Sequence, residues 1–243
     1  MLLINGVTGS LGEATLKLAL EKGLRTVGLG RNASKLDKMT KMYSKALFFQ
    51  LNDISSEVEA NVLLEQIESV TNAKIEMYMH AAALLNRTKS PLETSVDNFE
   101  ETLNVNLTGT FVWNKSVIGK MIKNKVHGSV LNVASQAART GGFGGTTSYA
   151  ASKGGVVSLS KSFARLGALH NIRANSISPG FLDNPMMLNG LTSDQIAEFA
   201  GKTALKRLAS DYEIAQVCLF LLGSEASYIT GENIEVSAGQ VLG

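Results

Sequence analysis

Short apolar runs alternate along this chain with longer stretches in which apolar residues recur every three or four positions. The runs at 2–5, 26–29, 46–50, 75–80, 129–134, 173–177 and 233–236 have the length and bounding turns of strands buried on both faces. The stretches at 11–22, 57–70, 95–123, 148–170 and 211–222 carry a helical period, and a lysine-bearing helix is predicted between Lys35 and Lys45. Leu16, Ala19 and Leu20 form the inner stripe of the first helix, which Gly23 ends. Ser56 and Glu59 have the spacing of a capping box. Residues 135–147 are glycine-rich and predict a loop, and residues 181–203 predict irregular or weakly helical structure. Strands and helices in alternation build right-handed crossovers. The expected fold class is therefore α/β: a doubly wound parallel sheet of about seven strands with helices on both faces, in one domain over 1–243.

Composition narrows the function. The formal net charge is +2 and the basic residues are scattered, which disfavours a nucleic-acid partner. Cys218 is the one cysteine and lies in an apolar run, so it predicts core packing in a reducing compartment. His80, His127 and His170 are far apart and have no metal-ligand spacing, so no metal site is expected. Residues 1–4 run straight into a glycine turn, and no apolar run approaches the length of a membrane span. The expected location is the cytoplasm, away from membranes.

The first strand and first helix flank Gly6, Gly9 and Gly12. A turn of this kind directs backbone N–H groups and the positive end of a helix at a pyrophosphate. Gly30-Arg31 follows the second strand. A carboxylate there would accept a ribose 2′-hydroxyl and favour NAD, whereas a guanidinium pairs a 2′-phosphate. Arg31 therefore favours NADP(H), with NAD(H) the alternative. Asp53, after the third strand, stands at the same sheet edge and either accepts from an adenine amine or caps a helix.

Tyr149 and Lys153 are four residues apart, one turn of a helix. An ammonium beside a phenol stabilises the phenolate and brings it toward a useful range for proton transfer. Ser135 ends the fifth strand on the side where doubly wound folds bind ligands.

Taken in order, these segments resemble the short-chain dehydrogenase/reductase family over nearly the whole chain. Asn5-Gly6-x-x-x-Ser10-Leu11-Gly12 stands at its T-G-x-x-x-G-x-G turn, and His80-Ala81-Ala82-Ala83 at its N-N-A-G segment. Asn104-Val105-Asn106-Leu107-Thr108-Gly109 matches V-N-x-x-G, and Asn132-Val133-Ala134-Ser135 matches the strand that ends in the catalytic serine. Tyr149 and Lys153 follow, then Arg173 to Gly180 as R-x-N-x-x-x-P-G, and Tyr228-Ile229-Thr230-Gly231 near the end. The sequence departs from the family at Asn5, Ser10, Asn184 and Ser237-Ala238-Gly239. Its G-x-x-G-x-x-G turn is similar to that of longer, sugar-nucleotide members, and the loop from Ser135 to Tyr149 is one residue longer than usual.

The resemblance implies a Rossmann fold and an NAD(P)-dependent enzyme that interconverts a carbonyl and a secondary alcohol. Tyr149 would be the acid/base, Lys153 its tuning partner and a ribose ligand, Ser135 the substrate-oxygen donor, and Asn106 the holder of a proton-return water. Cofactor contacts would come from Gly6, Thr8, Gly9, Ser10, Leu11, Gly12, Arg31, Asp53, Ile54, His80, Ala81 and Ala82. Tyr149, Lys153, Pro179, Gly180, Leu182 and Asn184 would complete them. Residues 84–87, 136–145 and a lid over 181–203, with Met186, Met187, Leu188 and Phe199, would wall the substrate. Arg87 and Arg139 either anchor an anion or face solvent. The closest likeness is to 3-oxoacyl-carrier-protein reductases, which leaves a carrier protein open as one bearer of the substrate beside a free small molecule. A sugar or sugar-nucleotide oxidoreductase and a non-catalytic NADP-binding sensor stay open. The family implies homodimers or homotetramers, and Val156, Val157, Leu159 and Phe163 exceed one core stripe.

Overall fold

The computed structural model describes residues 1–143 and 145–241. Gly144, within the expected substrate wall, and Leu242 and Gly243, within the expected domain, lie outside the described residues.

Seven apolar runs form one parallel sheet. They are β1 (Leu2–Asn5), β2 (Thr26–Gly30), β3 (Leu47–Gln50), β4 (Met77–His80), β5 (Ser129–Val133), β6 (Arg173–Pro179) and β7 (Asn233–Val236). Their order is β3-β2-β1-β4-β5-β6-β7, with every pair parallel. Every residue of β1 and of β2 is buried, as strands covered on both faces require.

The helices cover the two faces. On one lie α3 (Glu57–Thr71), α5 (Gly109–Lys123) and α7 (Thr147–Ala168), whose Leu64, Trp113 and Phe163 pack on Leu3, Tyr78 and Val130. On the other lie α1 (Ser10–Glu21), α2 (Ala33–Met42) and α10 (Asp211–Leu222), whose Leu16, Met39 and Cys218 pack on Ile4, Met79 and Ile177. Cys218 is fully buried, and burial pushes its thiol up to about 12, so it packs as an apolar group. The sheet and its covering helices make a Rossmann-type α/β domain.

Three expectations need correction, at 95–123, 135–147 and Ser56, whereas the weakly helical reading of 181–203 agrees with its two short helices. The predicted helix over 95–123 is α4 (Val96–Leu103) and α5 joined by one π-helical turn, Asn104–Thr108. Apolar periodicity cannot register the wider turn because both flanks keep their buried faces. Residues 135–147 contain a short helix, α6 (Ala137–Thr140), and 181–203 contain α8 (Pro185–Leu188) and α9 (Ser193–Gly201). α9 begins with a true capping box: Thr192 accepts from the Gln195 N–H and Gln195 accepts from the Thr192 N–H. The expected box at Ser56 is half made. Ser56 Oγ accepts from the Glu59 N–H, but the Glu59 carboxylate turns to the N–H groups of Asn52 and Asp53.

Candidate active site

The strand order reverses between β1 and β4, and the chain leaves both strands at the same edge of the sheet. That switch point opens a crevice. A cleft of about 600 Å³ runs there from Gly6, Gly9 and Ser10 past Ser135, Tyr149 and Lys153 to Phe143, Phe181 and Phe199.

Gly6 takes φ +86°, and a Cβ on it would collide with the backbone nitrogen of Ala82. A Cβ on Gly12 would collide with the Gly6 carbonyl oxygen, so these two glycines bring β1, α1 and the end of β4 into contact. Gly9 is different: its Cβ position meets only the Gly6 carbonyl oxygen, at 3.4 Å. Gly9 is the N-cap of α1, which has no side-chain cap. An uncapped helix start with open space over a glycine is a cradle for a phosphate.

Arg31 follows β2 and is exposed. Asn32 caps α2 by accepting from the Lys35 N–H at 2.9 Å, and Lys35 Nζ reaches the Thr8 carbonyl at 3.5 Å. A second cation therefore stands between Arg31 and the glycine turn. Its only sequence signal was the i, i+3 spacing from a capping asparagine. Thr8 packs over Gly30. Asp53 Oδ1 accepts from both the N–H and the hydroxyl of Ser55, which holds its carboxyl below the ordinary value. Ile54 packs against Gly109. The residues present fit a dinucleotide: a phosphate cradle, a cationic edge and a long cleft.

At the other end of the cleft, α7 carries Tyr149 and Lys153 to the end of β5. Lys153 is 2% exposed, and its Nζ donates to the Val133 carbonyl at 2.6 Å and lies 5.5 Å from the Tyr149 ring centroid. Burial lowers its pKa to about 7. Burial raises the Tyr149 phenol above its ordinary value, opposed by the Ser135 hydroxyl and the charge of Arg87. Ser135 Oγ accepts from the Ala137 N–H at 3.1 Å.

Asn106 sits in the π turn and is fully buried. Its amide accepts from the Leu84 N–H at 2.7 Å and donates to the Leu84 carbonyl at 2.9 Å and to Ser152 Oγ at 3.0 Å. Ser152 in turn donates to the Tyr149 carbonyl at 2.7 Å. Asn106 thus ties the chain after β4 to the turn of α7 that bears Tyr149. Beneath it, Asn132 pairs reciprocally with Asn114 and donates to Ser160. Asn114 and Ser160 have no signal in the sequence, because the contact joins three elements. His80 is buried. Tyr78 meets its Nδ1 at 2.7 Å, and burial, then the charge of Lys153, lower its pKa to about 3.

The family model described as enoyl-(acyl carrier protein) reductase matches residues 6–240. The chain is 32% identical to the 3-oxoacyl-(acyl-carrier-protein) reductase of Thermotoga maritima, over 99% of this chain and 97% of that protein. It is 31% identical to the same enzyme of Aquifex aeolicus, over 98% and 95%. It is 32% identical to human (3R)-3-hydroxyacyl-CoA dehydrogenase, over 77% and 70%. The chain belongs to the short-chain dehydrogenase/reductase family. It is an NAD(P)-dependent oxidoreductase of that family.

As a short-chain dehydrogenase/reductase it has its own features. Asn184, where the family has threonine, caps α8 by accepting from the Met187 N–H at 3.0 Å and donates to Asp211 at 2.8 Å. Both ends of its amide are engaged within the chain. Ala238, between Ser237 and Gly239, takes φ +53°, a conformation that suits glycine. Pro179 and Gly180 are bonded to Gln136 and Val236 at the end of the sheet, and Leu182 bridges to Ala209. Ala81, Pro179, Gly180 and Leu182 line the cleft, while Ala82 backs the glycine turn. Arg139 pairs with Glu235 at the surface. Arg87 is half-buried in the cleft, where it bonds the backbone after α8. Among the described residues, no helix is long and apolar enough to cross a membrane.

Proposed function

We propose that this chain is an NADP(H)-dependent enzyme that interconverts a carbonyl and a secondary alcohol, with 3-oxoacyl thioesters as the substrate class. The observation that carries this reading is the meeting of Ser135, Tyr149 and buried Lys153 in one cleft with the uncapped start of α1. When bound, the nicotinamide supplies a hydride in reduction and takes one in oxidation. In reduction Tyr149 gives its proton to the carbonyl oxygen, and in oxidation it takes the proton back. Ser135 donates to the same oxygen as charge develops there. Lys153 holds the ribose and favours the tyrosinate. Asn106 fixes the Tyr149 turn, and a water held there returns the proton to Lys153.

The 181–203 segment is the substrate lid. Its Phe181 and Phe199 rings lie 4.6 Å apart, and Phe143 is 6.0 Å from Phe181, which makes an apolar wall for an acyl chain. The relatives named for 3-oxoacyl and 3-hydroxyacyl substrates support this class. The family model's description names an enoyl substrate instead. The two are separated by following NADPH oxidation with acetoacetyl and crotonyl thioesters. Turnover of acetoacetyl thioester alone is expected, and turnover of crotonyl thioester alone would overturn the carbonyl assignment.

Arg31 binds the 2′-phosphate. Charge-assisted hydrogen bonds of this kind change affinity roughly 10–100-fold. Arg31→Ala should weaken NADPH binding by that factor and leave NADH within about twofold, as read by calorimetric titration. An equal loss for both cofactors would remove Arg31 from the site.

Self-association belongs to the same reading. Phe111 is exposed on α5 in a shallow groove that it forms with Leu107, Gly155 and Leu159, and Leu166 is exposed on α7. Two copies bury this face in a homodimer, and the dimers pair into tetramers. The enzyme works in the cytoplasm.

A further inference from the structure

Two arginines of this chain are held by backbone carbonyls, and they are held differently. Arg173, at the start of β6, gives Nη1 and Nη2 to four carbonyls, those of Leu221, Leu222, Gly223 and Ile229, and does not line the cleft. Its fork is filled, which is a structural role. Arg87, in the loop after β4, does line the cleft. Its Nη2 donates to the Met187 carbonyl at 2.8 Å and its Nη1 to the Asn189 carbonyl at 3.0 Å, with Met187 Sδ at 3.6 Å from Nη2. A guanidinium carries five N–H groups. The Nε–H and one Nη1–H of Arg87 therefore have no partner among the described residues.

The charge of Arg87 is also unanswered. The ion pairs among the described residues do not include it. Arg139, by contrast, is neutralised by Glu235 at the surface. The charged residues that line the cleft are Arg87, Lys89 and Lys153, and no carboxylate lines it among the described residues. Lys153 is committed to the Val133 carbonyl and stands beside Tyr149, and Lys89 is exposed at the edge. Around Arg87 the wall is apolar, with Leu85, Met186, Met187 and Leu191. A half-buried cation in such a wall attracts an anion more strongly than one in water does. The two carbonyls fix the plane of the guanidinium without cancelling its charge. The ordering cost of a long side chain is thereby met before a ligand arrives.

We propose that Arg87 is an anion subsite of the substrate cleft: it takes a carboxylate or phosphate oxygen that the substrate carries away from its reacting carbonyl. This rests on the reading that Ser135 and Tyr149 receive that carbonyl. The substrate class is then an anionic oxo compound, with the carbonyl at one end of the pocket and the negative group against the lid.

The test compares three thioesters that share the reacting 3-oxo group. Acetoacetyl-N-acetylcysteamine is uncharged, acetoacetyl-CoA has its phosphates on the carrier, and 3-oxoadipyl-N-acetylcysteamine has a carboxylate on the acyl chain. The quantity read is the ratio of kcat/KM for each anionic substrate to that for the uncharged one. A charge-assisted hydrogen bond changes affinity roughly 10–100-fold. Arg87→Met should lower the ratio by that factor for at least one anionic substrate, through KM and not kcat. Arg87→Lys, which keeps the charge, should lose less. If Arg87→Met does not fold, Arg87→Gln carries the same expected loss. A fall confined to acetoacetyl-CoA places the anion on the carrier arm, and one confined to the 3-oxoadipyl substrate places it on the acyl chain; either upholds the subsite. Unchanged ratios in Arg87→Met, or equal losses in Arg87→Met and Arg87→Lys, would overturn it. Calorimetric titration of NADPH-loaded Tyr149→Phe with the same thioesters reads affinity without turnover, and adding Arg87→Met should remove the preference for the anionic ones. If wild type reduces none of the three while this titration shows the preference and its loss, the carbonyl reading fails and the subsite stands. If wild type reduces them and the preference survives Arg87→Met, only the subsite fails.

Discussion

Tyr149→Phe should lower kcat by roughly 10³-fold, within the range that a positioned acid/base group supplies. The ring stays in place at the start of α7, and Lys153 keeps its bond to Val133, so the helix and the cleft survive. Affinity for NADPH should therefore stay within about twofold, because only one hydroxyl is lost. Stopped-flow turnover and fluorescence titration separate the two quantities. If the phenylalanine variant kept a tenth or more of the turnover, the proton would have to come from another donor.

Lys153→Met should abolish activity and yet make the cofactor-free protein more stable at neutral pH. In an unfolded chain this amine titrates at 10.5, and in the fold at about 7. Between those values the unfolded chain binds more protons, so native stability falls as pH drops through the window and is fully penalised below about 7. At about 1.4 kcal/mol per pH unit, the burial costs roughly 4–5 kcal/mol. The variant leaves the Val133 carbonyl without its donor, which costs about 1–3 kcal/mol. The net expectation is a gain of roughly 1–4 kcal/mol at pH 7, turning into a loss near pH 10. Urea unfolding at both pH values reads this crossover. A variant equally destabilised at both would mean that Lys153 carries no burial penalty. The stabilisation would identify Lys153 as a residue retained for chemistry at a cost to the fold.

The sheet is legible in the sequence because each strand is a short apolar run between turn residues. β1 and β2 declare themselves by continuous burial, and Gly6, Gly9 and Gly12 by their position between β1 and α1. Tyr149 and Lys153 are legible because helical spacing alone brings them to one face. What the sequence does not reveal depends on contacts between distant segments. The fork of Arg87 reaches Met187 and Asn189, the amide of Asn184 meets Asp211, and Asn132 meets Asn114 and Ser160. No local pattern encodes such pairs. The π turn at Asn104–Thr108 escapes for a different reason: one wider turn changes where Asn106 points without disturbing the apolar stripes on either side.

β1 is made first but ends up at the centre of the sheet, flanked by β2 and β4. Leu2 to Asn5 pair with Met77 to His80, so the second partner leaves the ribosome long after the first. Loop closure over such a distance makes the nascent chain slow to commit. Until then the most apolar strand has one open edge, a template for pairing with other chains. The phosphate cradle can be assembled from the opening segments, while Tyr149 and Lys153 are still to be translated. The order of synthesis thus makes the phosphate-holding turn before the pair that moves protons.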